Sequence, residues 1–450
     1  MQSGYKSLSQ EIKKTIVLAL PICTGQLGNV LTSVADYTML GHANPVEMAG
    51  ATFATSVFFP FMIFGLGFGL GLTPLVANAR GAKDFEKQKN LFVTSFKVNF
   101  LIGVLILCLL FWIGRHFNLF NQPDNVIDVC RKYFVLISLS IIPIMLFSTL
   151  KQYLEGLQNT LTPMIISLIG NVLNIILNYL LIFDHGGYGG LGIEGAGWAT
   201  LFSRTFMFLT FFGYYLYFKK LRSVLISAFK NMTNFTLLKE ITNISLPISV
   251  FMFFEVTAFS VATFIMGWVS EAHIAAHQAA LSLASISFVI AMGVGNAGSI
   301  RSATYLGEGN LRKIGGVAKS VVTISLVLST LFASIFLFFN DYLPLFFVDS
   351  DEKRIITLTS VLLLYAALFQ FSDGLQVVFQ GLLQGIGDVK IPSIIAAAAY
   401  WLIGLPLGYI LTFYTNTGYT GVWIGLSVGL TFSAILQITR YKFSLRKLMS

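Results

Sequence analysis

The sequence predicts an all-α membrane protein with twelve transmembrane helices in two six-helix lobes, related by a parallel internal repeat. Three observations predict it. Of 450 residues, 55% are hydrophobic and 11% charged, with 42 Phe and a mean hydropathy of +0.77, more apolar surface than a soluble core of this length can hide. Shifted by 226 residues, the chain matches itself: Leu20-Pro21-Ile22 on Leu246-Pro247-Ile248, Gly41 on Gly267, Gly67-Phe68-Gly69 on Gly293-Val294-Gly295, and Gly81 on Gly307. A shift of 229 lays Glu155-Gly156 and Pro163 on Gln384-Gly385 and Pro392. Finally, Lys and Arg gather on one side of the apolar runs.

Those runs are long enough to cross about 30 Å of hydrocarbon. In order they cover 12 to 40, 48 to 78, 91 to 114, 130 to 152, 160 to 183 and 194 to 218 in the first half, then 240 to 267, 273 to 304, 314 to 339, 354 to 383, 391 to 413 and 419 to 440 in the second. Open sheet edges cannot face lipid, and a run such as 321 to 339 lacks the alternation of a transmembrane strand, so each is a helix.

A net charge of +9 would suggest nucleic acid in a soluble protein. Here position decides, and no nucleic acid is expected. With the amino terminus cytoplasmic, most of the 29 basic residues fall inside, among them Lys13, Lys14, Arg80, Lys83, Lys87, Lys219, Lys220, Arg222, Arg312, Lys313, Arg440 and Arg446. Arg115, Arg131, Lys132, Lys353 and Arg354 fall outside, and Arg204 lies within a helix. The positive-inside rule then puts both termini of this multi-pass chain in the cytoplasm. The first apolar run is full length with no small-residue cleavage site, so no signal peptide is expected.

Six helices per half is an even number, so both copies share one orientation. Residues 1 to 218 are expected to form an N-lobe, 219 to 239 a cytoplasmic linker and 240 to 450 a C-lobe. The linker's Leu225, Ile226 and Phe229 suit a short interfacial amphipathic helix, although a solvated tether fits equally. Cys23, Cys108 and Cys130 have no metal spacing, and the first two read as small core hydrophobes. The matched Pro21 and Pro247 are either bending points of a moving element or ordinary kinks.

An ionised side chain at mid-helix costs about 3 kcal/mol or more unless it meets water or a partner. Four stand out: Asp36 on the first helix, Arg204 on the sixth, Glu255 on the seventh and Asp373 on the tenth. Glu255 falls on Asn29 in the repeat and Asp36 on Ala262, so each leading helix carries an acid about two turns apart on nearly the same face. Each acid has a structural alternative as interhelical glue, and Arg204 reads best as an ion pair or snorkelling cation that holds its lobe together. Beside Asp36, Asn174 and Asn178 stack at i, i+4 with Thr200 nearby, a set suited to a hard cation or a proton-linked network, or to interhelical hydrogen bonds alone. In the second lobe His277 and Gln278 open the eighth helix, facing the outer half of the seventh; a lone histidine there is more often a packed polar residue, but its reach toward Glu255 keeps it a candidate.

The strings FFEVTAF at 253 to 259, AAHQ at 275 to 278, SIR at 299 to 301, D-x-x-Q-V-V from Asp373 to Val378 and YWLIGLPLGYIL at 400 to 411 resemble the NorM-type branch of the multidrug and toxic compound extrusion (MATE) transporters. The resemblance spans the chain. It implies a V-shaped pair of six-helix bundles, acting without a cofactor, that exports organic cationic drugs and dyes across the inner membrane in exchange for Na⁺ or H⁺. By motif, Glu255 and Asp373 resemble the C-lobe cation site, where Na⁺ would sit, and Asp36, Asn174 and Asn178 the N-lobe acidic network. Phe369 stands where some members have a tyrosine; a phenyl face attracts a cation but offers it no oxygen.

The chemistry can also be argued from the residues. A desolvated carboxylate is stable when protonated or paired with a cation, so one set of acids binds coupling ion or drug, not both well. That exclusivity is antiport. Phe- and Met-rich walls suit large flat molecules, and alternate loading would drive rocking between inward-open and outward-open states. Other readings fit less well. Gly81-Ala82-Lys83-Asp84-Phe85 is a poor match to the major-facilitator loop signature, and a lipid-linked oligosaccharide flippase would need more cavity cations than Arg204. An enzyme would cluster its His, Asp or Glu, and no ATP-binding loop is present, so the chain is read as a monomeric transporter and not an enzyme.

Overall fold

A computed structural model describes residues 2–43, 45–120, 123–183, 190–230, 234–347 and 351–449. Among them the chain forms α-helices and no strand. The first half holds α1 (Gln2–Ala43), α2 (Pro45–Leu70), α3 (Leu72–Gly81), α4 (Phe85–Arg115), α5 (Asp124–Leu139), α6 (Ile141–Gly156), α7 (Leu161–Ile182), α8 (Gly192–Tyr217) and α9 (Lys219–Lys230). The second holds α10 (Phe235–Val269), α11 (Glu271–Gly307), α12 (Leu311–Phe338), α13 (Lys353–Gly385), α14 (Lys390–Ala398), α15 (Leu405–Tyr414) and α16 (Thr420–Met449).

Among the described residues eleven spans are long and apolar enough to cross a membrane, three of them interrupted: Val46–Gly81, Val126–Gly156 and Lys390–Tyr414. The twelfth run from the sequence is α8, which is 26 residues long and carries Arg204 at its middle. This is a multi-pass membrane protein.

The chain divides into two compact units, but not as 1 to 218 and 240 to 450. The C-terminal unit comprises Met1–Cys23 and Val250–Ser450; the N-terminal unit is Thr24–Ser249. Each boundary falls two residues after a matched proline, Pro21 in α1 and Pro247 in α10. Side-chain bonding explains the assignment. In the C-terminal unit Arg301 donates to the carboxylate and backbone carbonyl of Glu11 and to Thr15, Thr15 meets Ser320 at 2.9 Å, and Ala19 and Cys23 join the apolar cluster of Val294, Val321 and Val378. In the N-terminal unit Lys87 pairs with Glu240 at 2.9 Å, Ile241 is buried among Leu91 and Val224, and Ser245 lies where a Cβ on Gly71 would have to go.

Residues 219–230 are not a tether. They form α9, which buries Val224, Leu225 and Ala228 within the N-terminal unit, with the Phe229 ring 6.0 Å from Phe96 and 6.5 Å from Phe212. Positions 231–233 of the expected linker lie outside the described residues. Cys23 and Cys130 are buried, whereas Cys108 is exposed on α4 and is not a core residue.

The duplication is also written in the backbone. Lys83 and Gln158 have φ of 59° and 61°, and their repeat partners Gly309 and Gly387 have φ of 69° and 80°. Both copies turn through the left-handed region at the same places, but only the second supplies the residue that does so without steric cost. Gly192, with φ of 55°, is a different case: a Cβ there would strike the Glu47 carboxylate, which accepts from the Ile193 amide at 2.7 Å and so caps α8.

Candidate functional site

In the C-terminal unit Glu255 of α10 and Asp373 of α13 are both buried, 7% and 3% exposed. No Lys, Arg or His forms an ion pair with either among the described residues. The hydrogen-bond partner of Glu255 is neutral. The Tyr400 hydroxyl lies 3.0 Å from Glu255 Oε1 and 3.1 Å from Gln376 Oε1.

Tyr400 owes its position to backbone. Residues Ala399–Gly404 form a π-helical turn between α14 and α15, an irregularity that re-aims side chains within a helix. Gly429 of α16 lets this turn approach closely, since a Cβ there would come 2.7 Å from the Ala399 carbonyl. Trp401 then donates its indole N–H to the Phe254 carbonyl at 3.0 Å, fixing the turn beside the residue that precedes Glu255.

A hydroxyl has one proton to give, so the Glu255–Tyr400–Gln376 triad has two arrangements. With Glu255 ionised, Tyr400 donates to it and the Gln376 amide turns its NH₂ toward the phenol oxygen. With Glu255 protonated, the carboxylic acid donates to Tyr400, which donates to Gln376 Oε1. The direction of these two bonds thus depends on whether Glu255 is protonated.

Phe369, His277 and Gln278 are placed apart from that triad. Phe369 is buried with its ring 5.9 Å from Trp423, whose indole N–H donates to His277 Nδ1 at 3.0 Å. His277 is therefore a neutral core residue in this arrangement, and the carboxylate of Glu255 is not among its hydrogen-bond partners. Gln278 donates to Thr263 at 3.3 Å.

The N-terminal unit assembles a directed chain. The Asn178 amide donates to Asp36 and, at 3.1 Å, to Asn174 Oδ1; Asn174 donates to Ser203 at 3.2 Å. The hydroxyl in this network is Ser203. Thr200 contributes its backbone carbonyl, which accepts from Ser203 at 3.1 Å. Next along α8, Arg204 donates to Ser140 at 2.7 Å, contacts Met62 Sδ at 3.5 Å and lies 5.5 Å from the centroid of the Phe58 ring. It makes no ion pair among the described residues. Asn29, the repeat partner of Glu255, accepts from Asn171 at 3.1 Å.

Sequence reasoning missed Tyr400 and Gln376 as site residues. Gln376 had a signal, since i, i+3 spacing puts it on the face of Asp373; Tyr400 had none, because its approach depends on the π turn. Among the described residues no cluster of three or more His, Cys, Asp or Glu could hold a metal ion.

Comparison with known proteins gives one consistent result. The family model MatE matches residues 21–180 and again 247–410, with the two starts separated by the repeat length. The chain is 31% identical over 447 residues to a probable multidrug resistance protein NorM of Bacillus anthracis, covering 96% of each. It is 30% identical over 441 residues to the multidrug resistance protein MdtK of Yersinia pseudotuberculosis, covering 96% of this chain and 95% of that one. Among solved structures, the eukaryotic MATE transporter AtDTX14 superposes with a TM-score of 0.86 at 22% identity over 98% of this chain and 99% of that one. A MOP superfamily transporter from Pyrococcus furiosus superposes with a TM-score of 0.88 at 22% identity, covering 98% and 97%. With two matched copies of the family model and relatives of this similarity over nearly its full length, the chain belongs to the MatE family, the multidrug and toxic compound extrusion transporters.

Proposed function

We propose that this protein is an ion-coupled antiporter that exports organic cations, drugs and dyes among them, across the cytoplasmic membrane, with both termini inside. One observation carries the reading: two carboxylates buried in one unit have no basic partner among the described residues. Such a pair costs several kcal/mol if left ionised and unpaired in a membrane, so it favours a loaded condition. Protons, Na⁺ or a substrate cation can each supply the load, and occupancy by one disfavours the others. Drugs enter this account through the names of the NorM and MdtK relatives. Arg204, a single cation at the middle of α8, gives little support to a carrier of lipid-linked pyrophosphates.

The test is transport in proteoliposomes. With no pH difference, an inward Na⁺ gradient should drive expulsion of ethidium, and Na⁺ alone should release ethidium bound to the purified protein. If only a proton gradient drives efflux and Na⁺ leaves binding untouched, the coupling ion is H⁺. If neither gradient drives efflux, antiport is wrong. For topology, cysteines placed at Glu271 and Asn416 should react with an impermeant reagent from outside and one at Lys230 from inside; the reverse pattern overturns the orientation.

A further inference from the structure

The C-terminal unit contains buried polar groups arranged in two rows, several of them with atoms that make no hydrogen bond. On α13, Gln376 and Gln380 follow Asp373 at i+3 and i+7, so all three lie on one helix face. On α16, Ser433, Gln437, Tyr441 and Ser444 repeat at spacings of three or four, and all four are buried. The two helices bring these rows together. Ser372 and Thr431 hydroxyls meet at 2.7 Å toward one end, and the Phe379 and Tyr441 rings lie 5.6 Å apart toward the other.

Satisfaction is poor along this seam. Gln380, 4% exposed, has no partner for either amide atom, Gln437, 0% exposed, has none for its oxygen, and Tyr441 has none for its hydroxyl. The one polar contact made by Gln437 is to Ser433 at 3.3 Å. A buried, unpaired polar group costs about 1–3 kcal/mol, and water bridging several such groups is the usual remedy. Around these atoms Val378, Phe379, Leu382 and the Tyr441 ring sit in one apolar cluster with Val294 and Val321. Beyond Tyr441 the seam ends at Asp388, which accepts from Arg440 at 2.6 Å and Ser444 at 2.5 Å at a partly exposed position. From Asp373 to the end of α13 is about 18 Å of helix rise.

We propose that the seam between α13 and α16 is a hydrated path inside the C-terminal unit, through which the coupling ion passes between the Glu255 and Asp373 pair and the membrane face that carries Arg440 and Arg446. It rests on the reading of that pair as the coupling-ion site. The seam offers neutral donors and acceptors without a fixed charge to trap an ion, which suits passage rather than storage.

Cysteine accessibility tests it. In an active chain whose native cysteines have been replaced, Gln380→Cys and Gln437→Cys should react with 2-aminoethyl methanethiosulfonate, added on the face bearing the termini, at least about tenfold faster than buried control cysteines at Leu382 and Leu430, because thiol reaction requires solvent access. Inert thiols at 380 and 437, matching the controls, would overturn the path. A second arm uses Gln380→Leu with Gln437→Leu, which dries the seam: ethidium binding at equilibrium should be retained while gradient-driven efflux falls at least about tenfold. Wild-type efflux in that double variant also overturns the proposal. Failure of the underlying reading looks different, since Glu255→Gln would then keep full efflux whatever the labelling.

Discussion

The two units repeat one scaffold and differ in the charges they place inside their helices. In the N-terminal unit the acid Asp36 is held by Asn178, and Arg204 lies at the middle of α8 in the same unit. In the C-terminal unit Glu255 stands with a phenol that also meets an amide, Asp373 is buried, and two of the unit's arginines are engaged elsewhere, Arg301 with Glu11 and Arg440 with Asp388. The first unit holds an acid on α1 and a mid-helix arginine on α8; the second holds two buried acids with no basic partner among the described residues. A duplicated fold thus yields two units that differ in the charge they place within membrane-spanning helices, where an unpaired charge is most costly.

Removing the C-terminal charges should break this difference most severely. Glu255→Gln or Asp373→Asn should reduce gradient-driven ethidium efflux at least about tenfold with normal membrane insertion, since either change removes a charge while keeping shape. Asp36→Asn, in the unit with its own cation, should cost less in the same assay; an equal loss would remove the asymmetry. Next comes Tyr400→Phe, which deletes one oxygen. A hydrogen bond to a charged group contributes about 1.5–3 kcal/mol, so ion-coupled efflux should drop about tenfold or more, and unchanged efflux would make the triad incidental.

Arg204→Gln probes the other side of the comparison. Losing its bond to Ser140 and its contact with Phe58 should lower the midpoint of thermal unfolding by a few degrees, about what 1 kcal/mol gives a unit of this size, with efflux little changed; abolished efflux would make Arg204 part of transport. The smallest effects belong to the turns. Lys83→Gly and Gln158→Gly should each add up to about 1 kcal/mol of stability by relieving a left-handed backbone, whereas Gly309→Lys and Gly387→Gln should each subtract a similar amount, as a thermal-shift assay would report.

Much of this was legible in the chain. Lipid imposes a length and composition on every span that no tertiary contact can override, so helix positions follow from hydropathy, and the repeat follows from matched Gly and Pro that each copy needs for the same close approaches. Buried acids are conspicuous for the same reason: Asp36, Glu255 and Asp373 are expensive in hydrocarbon wherever they occur. The amides beside Asp36 were visible from their i, i+4 spacing, because a single helix sets that geometry.

What the sequence could not determine was which side chains meet across helices. Ser203, not Thr200, closes the N-terminal network because the rotation of α8 against α7 selects it. Tyr400 reaches Glu255 through a π turn pressed against Gly429, and His277 turns to Trp423. The unit boundaries at Cys23 and Ser249 were equally hidden. A helix of uniform hydropathy reads the same whichever bundle receives it, and only the partners of Glu11, Thr15 and Glu240 decide where its two halves belong.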